Sequence, residues 1–230
     1  MLTGLAVFVV MHWGGWAVFV VWHWQANGMR VPPGSVPDLA AAARRGEYAS
    51  FLFFWGHQRE PDGSIGPGCM SQWWPAPFTV EGRVFATAEH YMMWRKAALF
   101  GDEQIAGRIL AASHPFRAKE LGEQVRGFDE AAWAARRFEI VLTGSVAKFG
   151  QHTDLRRYLL ATGDRVLVEA SPQDRVWGIG LAATDERAAD PRQWRGLNLL
   201  GFALMRARAA LREDDPIPSE PSGYAGRRRR

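Results

Sequence analysis

From Thr87 onward the chain is punctuated as a succession of helices, and this limits what it can fold into. Thr87, Asp102, Ser113 and Asp129 each stand just before a stretch with helical spacing. A short side chain bearing an acceptor oxygen there satisfies backbone N–H groups that the first helical turn leaves unpaired. The reading gives helices from Thr87 to about Phe100, Asp102 to about Ala112, Ser113 to about Val125 and Asp129 to about Phe149. Glu89 lies in the first turn of the first, where the dipole favours an acid, and Pro115 opens the third. A fifth helix runs from His152 to Thr162, stopped by Gly163, and a last one from about Leu197 to Arg212.

The remaining segments add a little β structure. Ser50–Trp55 (SFLFFW) reads as a buried strand, residues 57–71 as a Gly- and Pro-rich loop, and 78–80 with 83–85 as a hairpin turning at Glu81-Gly82. Arg165–Ala170 alternates like a strand, and Val176–Ile179 is expected to pair near it. A short helix is expected between Pro32 and Gly46, with Asp38 as its N-cap. The expected fold is therefore mainly α (α+β), a compact orthogonal helical domain with short strands.

At 230 residues and 47% hydrophobic content the chain suits one globular domain. Residues 1–29 lack Asp, Glu, Lys and Arg, and the run 2–24 is long enough for a bilayer span. No positive n-region or small-residue cleavage site marks it as a secretory signal. Residues 1–28 are read as a hydrophobic appendage, either a membrane anchor or upstream sequence before a start at Met29, whose removal is expected to leave fold and activity unchanged. The domain is placed at 50–212, and 213–230 is read as a disordered basic tail. The net charge of +4 resides in Arg227–Arg230, so the body is formally neutral, and a basic tail on a neutral body is weak evidence for a nucleic-acid groove. The single cysteine, Cys69, excludes an internal disulfide and agrees with a cytoplasmic setting.

Three lysines (Lys96, Lys119, Lys148) stand among 28 basic residues. An amine can lose its proton and attack an electrophile, which a guanidinium cannot. The densest set of functional residue types opens the first long helix, TAEHYMMWRK. Glu89 and Lys96 are seven apart on one helix face, about 10 Å along the axis, and can flank a small ligand. By spacing alone they can equally be a solvated pair. Trp73 and Trp74 place aromatics on a loop, where they either stack on a ring or fill a core. Residues 169–180 combine Glu169, Asp174, Trp177, Gly178 and Gly180 at a strand end but match no phosphate or dinucleotide fingerprint. His90, His114 and His152 are scattered and no H-E-x-x-H occurs, so the sequence offers no metal site.

The segments TAEHYMMWRKAALFGD, ILAASHPFRAKELG, AKFGQHTDLRRYLLATGDRVLVEASPQDRVWGIGL and GLNLLGFALM resemble, in order, those of the NADAR (YbiA-like) family. The resemblance spans roughly Ser50 to Leu211. It implies an N-glycosidase needing no cofactor, acting on riboflavin-pathway phosphoribosylamino-pyrimidine intermediates or, alternatively, on ADP-ribosylated guanine. It implies that Glu89 and Lys96 are catalytic, from the family's E-H-Y-x-x-x-x-K stretch that also holds His90. It further implies that Trp74, His90, Asp174, Trp177, Gly178 and Asn198 contact substrate. Partners are then a small phosphoribosyl or ADP-ribosyl substrate, with nucleic acid only as modified substrate. A non-catalytic nucleotide sensor on the same fold would need neither Glu89 nor Lys96.

Overall fold

A two-residue hairpin link of type I′, whose twist matches that of the strands, needs left-handed backbone at both central positions. Glu81 (φ 49°) and Gly82 (φ 74°) supply it, so β2 (Phe78–Val80) pairs antiparallel with β3 (Arg83–Phe85), Phe78 opposite Phe85. The computed structural model describes residues 34–47 and 49–213. The expectations for residues 1–28 and for the chain beyond Glu213 lie outside them.

The capping residues organise the helices largely as the sequence suggests. Thr87 caps α2 (Ala88–Leu99), Asp102 caps α3 (Glu103–Leu110) and Asp129 caps α5 (Glu130–Gln151), each through its side chain. Helices α6 (Thr153–Ala161) and α7 (Leu199–Glu213) follow as expected. Two caps differ. Helix α1 (Val36–Arg44) is capped by Ser35, whose Oγ accepts from the Asp38 N–H, so Asp38 lies inside the first turn. Helix α4 (Pro115–Glu123) is capped by His114 rather than Ser113, because Pro115 takes the first helical position and the imidazole accepts from the Phe116 N–H.

The strand β1 (Phe51–Phe54) pairs in parallel with β4 (Val166–Glu169), Phe54 opposite Glu169. Both strands therefore end side by side, and the loops leaving their carboxyl ends share one edge. Val176–Ile179 is not a strand. Its segment folds back over the end of β4, with the Ile179 N–H donating to Glu169 O and the Gly180 N–H to Asp174 O.

Helix α5 packs between α2 and α7, and α7 covers β4. The hairpin is tied to α5 by Gln151, which exchanges two hydrogen bonds with the Thr79 backbone. Close approaches mark both α5 and α7. A Cβ on Gly144 would stand 2.6 Å from the Tyr91 ring, and one on Gly201 would overlap the Leu167 carbonyl oxygen and the Asn198 amide. Rigid backbone cannot move aside, so Gly201→Ala should cost about 1–3 kcal/mol. That is a fall of roughly 2–4 °C in Tm per kcal/mol for a chain of this size. Gly107 on α3 has open space around it, and Gly107→Ala should leave Tm level or raise it slightly. Thermal melts of the two variants side by side check the contrast.

Candidate active site

The site begins with a carboxylate where it should be costly. Glu89 occupies the first turn of α2 and is only 4% exposed. Burial pushes its carboxyl up to about 7; the positive charge of Lys119 and hydrogen bonding from Trp73 oppose this, while Asp174 and Glu123 add to it. Its own N–H donates to Gln72 O, which pins the loop 71–74 onto the start of α2 and brings Trp73 alongside.

That loop is fixed from beneath. Lys148, on the inner face of α5 and 1% exposed, donates from Nζ to Cys69 O at 2.7 Å and to Ser71 O at 2.8 Å. Burial lowers its amine to about 7. Ser71 Oγ then accepts from the Trp73 N–H. Trp73 packs edge-on to His114 and Phe116 and tilted against His57. Phe116 is 53% exposed, so these rings form an aromatic wall beside Glu89.

The second side of the site is the end of β4. Glu169 is mostly buried, and its carboxyl is raised to about 8 by burial first, then by the negative charges of Asp174 and Glu89. Its Oε2 is buried with no hydrogen-bond partner. Asn198 holds the strand end in place: its Oδ1 accepts from the Glu169 N–H and its Nδ2 donates to Leu167 O. Asn198 adopts φ 51°, a left-handed conformation that asparagine tolerates better than most residues. Asp174 Oδ1 accepts from the N–H groups of Val176 and Trp177. Gly178 has no room for a side chain, since a Cβ would lie 2.8 Å from Glu169 O and 3.1 Å from Asp174 O.

Three carboxylates thus converge: Glu89, Glu169 and Asp174, with Trp73 and Lys119 at their edge. Two of these five, Glu89 and Asp174, are named by the sequence motifs as site residues. Gly178 shapes the loop that carries Asp174, and half-buried Trp177 packs against the core. The other expected residues stand in the core, beside a helix cap and at a strand end. Trp74 is 2% exposed in the core, beneath the Arg59 guanidinium. His90 is buried, with Nδ1 2.8 Å from Thr87 Oγ1 and Nε2 3.1 Å from Ala112 O. Both amide atoms of Asn198 are bound to β4, so it positions Glu169.

Lys96 lies half-buried on the same side of α2 as α4. Its Nζ sits 4.2 Å from the Phe128 ring centroid, and burial lowers its pKa against the pull of Glu123 and Glu130. Glu123 acts on both Glu89 and Lys96, so α4 lays an alternating set of charges along α2, with Lys119 towards Glu89. A Cβ on Gly122 would overlap the Met93 side chain, which places the two helices in contact between those charges. Among the described residues no group of three or more His, Cys, Asp or Glu side chains is arranged to hold a metal. Nor is any helix there long and apolar enough to cross a membrane.

The model of the NADAR domain matches residues 53–212, which includes every residue of the site. An N-glycosidase of Acanthamoeba polyphaga mimivirus is 40% identical over 167 residues, covering 70% of this chain and 96% of its own. A riboflavin biosynthesis protein of Vibrio vulnificus is 31% identical over 157 residues, covering 68% of this chain and 38% of its own. The NMR structure of the Escherichia coli protein YbiA superposes with a TM-score of 0.60 at 26% identity, covering 76% of this chain and 93% of that one. The helical α+β fold and the matched segment agree, and the chain belongs to the NADAR domain family.

Proposed function

We propose that the protein cleaves the bond between the anomeric carbon of a phosphorylated ribose and the amino nitrogen of a pyrimidine. In this reading the substrates are phosphoribosylamino-pyrimidine intermediates of riboflavin synthesis. The chain is an enzyme, a hydrolase of N-glycosyl bonds, and its substrate is a small glycosyl compound. Supporting this are the N-glycosidase named at 40% identity and the riboflavin protein at 31%.

One observation carries the reading: the buried Glu89 carboxyl beside a stackable indole and a second carboxyl. Breaking an N-riboside builds positive charge on the anomeric carbon, which a carboxylate desolvated by its surroundings stabilises strongly. Trp73 takes the base-stacking role in this reading, supported by its place in the ring cluster with His57, His114 and Phe116, while Trp74 is buried in the core. The positive charge of Lys119 opposes the rise that burial causes in Glu89, so a share of that carboxyl is ionised near neutrality. The attacking group is either the amine of Lys96, whose charged form burial disfavours and which would hold the sugar as an imine, or a water activated by Glu89.

Purified protein incubated with a panel of N-ribosides tests the reading. Release of ribose 5-phosphate from an amino-pyrimidine riboside is the expected result. Selective release of ADP-ribose from modified guanine would move the substrate to the alternative. Binding without release from any member would make the protein a sensor.

A further inference from the structure

We propose that Glu169 is the acid that hands a proton to the departing nitrogen, working opposite Glu89 as the carboxylate. This deepens the N-glycosidase reading and rests on it.

The geometry supplies the reason. Glu169 closes β4 at the edge where both parallel strands end, and Asn198 fixes the strand end, its Oδ1 accepting from the Glu169 N–H and its Nδ2 donating to Leu167 O. Gly178 packs against its carbonyl. A buried carboxyl on so firmly held a backbone is expected to be matched by partners, yet Oε2 is buried and unpartnered. An ionised oxygen in that position would be costly, whereas a carboxylic acid needs only an acceptor for its proton. A ligand nitrogen provides one. The charged groups acting on Glu169 are Asp174 and Glu89, both negative, so they favour its protonated form. Glu89 instead has the cation Lys119 against it, along with Asp174 and Glu123. Two neighbouring carboxyls in different surroundings take different roles.

The step balances as follows. The C–N electron pair stays with the nitrogen, which takes the proton of Glu169. The anomeric carbon accepts the oxygen of water, whose proton passes to Glu89, or else the amine of Lys96. On the amine route the Lys96 nitrogen bonds the anomeric carbon and passes a proton to the ring oxygen as the ring C–O bond breaks, which leaves a protonated open-chain imine. Water then adds to that carbon, the amine departs, its extra proton returns to Glu169, and the freed aldehyde recloses on the sugar hydroxyl. After the water route Glu89 holds the proton and Glu169 the charge, and proton exchange restores the starting state. Either route needs a proton on the nitrogen, so Glu169 serves both.

The test compares wild type and Glu169→Gln on two ribosides, one leaving as a basic amine and one as a nitrophenolate, across pH. Loss of a general acid should slow the amine substrate by on the order of 10²–10⁴-fold and the nitrophenyl substrate far less. Wild-type kcat/KM on the amine substrate should fall as pH rises past about 8, where Glu169 ionises, and the variant should lack that alkaline limb. Equal slowing of both substrates, or an unchanged limb, would overturn the proposal while leaving the N-glycosidase reading standing. A wild type that releases sugar from neither would overturn both. Should Glu169→Gln fail to fold, Glu169→Asp keeps the acid but retracts it by one methylene. A displaced alkaline limb in that variant supports the role and an unmoved one overturns it.

Discussion

Glu89→Gln should leave substrate binding within a few-fold of wild type while turnover drops by on the order of a hundredfold or more. The amide keeps the size and one acceptor oxygen of the side chain but cannot carry charge to the anomeric carbon or take a proton from water. Stability should not confound the result. The buried carboxyl titrates near 7, above the ordinary carboxylate value, so the unfolded chain holds fewer protons than the folded one between those two pH values. Folding is then disfavoured as pH rises through that window. A neutral amide removes this dependence, so Glu89→Gln should melt at or above the wild-type temperature at pH 8. Single-turnover rates, with binding of the product measured separately, decide the matter. Unchanged turnover would remove Glu89 from the mechanism.

The other large effect concerns the amine. If Lys96 attacks the sugar, borohydride added during turnover should reduce the imine to a stable secondary amine. Mass spectrometry should then find one sugar phosphate on the peptide containing Lys96. Lys96→Arg keeps the charge over Phe128 but cannot form the imine, so adduct and turnover should disappear together, the latter by roughly two orders of magnitude or more. Lys119→Arg is the comparison, since that exposed lysine acts on Glu89 through charge and arginine preserves the charge. An adduct found on Lys119 instead would transfer the nucleophile to α4. Full activity in Lys96→Arg would leave water activated by Glu89 as the only attacking group.

Much of the fold was legible because helix ends are written in local chemistry. Thr87, Asp102 and Asp129 cap as any sequence reader would expect, and Glu81-Gly82 specifies its own turn. The pairing of β1 with β4 was not legible. Both are short apolar runs far apart in the chain, and nothing local identifies the partner. Val176–Ile179 reads as a further strand because it is mostly apolar, but tight backbone packing at Gly178 and Gly196 folds it into a loop.

The site divided in the same way. Glu89 and Asp174 stood in recognisable stretches, whereas Trp73 and Trp74 are neighbours of one type, and only the path of the loop buries one against Arg59 and lays the other beside His57. Glu169 was visible as an acid ending a strand, but the lack of a hydrogen-bond partner at its Oε2 is a three-dimensional fact. Lys148 did leave a trace. It falls on the stripe of Val141, Gly144 and Ser145 that α5 turns inward, where a charged residue is out of place unless something receives it.

The burial of Lys148 also gives the molecule an internal reporter. Lys96 and Lys119 meet solvent at least in part, whereas the third lysine is sealed under the loop it holds. An acylating reagent applied to native protein should therefore label those two amines and leave Lys148 untouched. Slow appearance of label on Lys148 would then time the opening of residues 69–73, the segment that presents Trp73. The breathing of the aromatic wall can thus be followed by mass alone, without adding a probe.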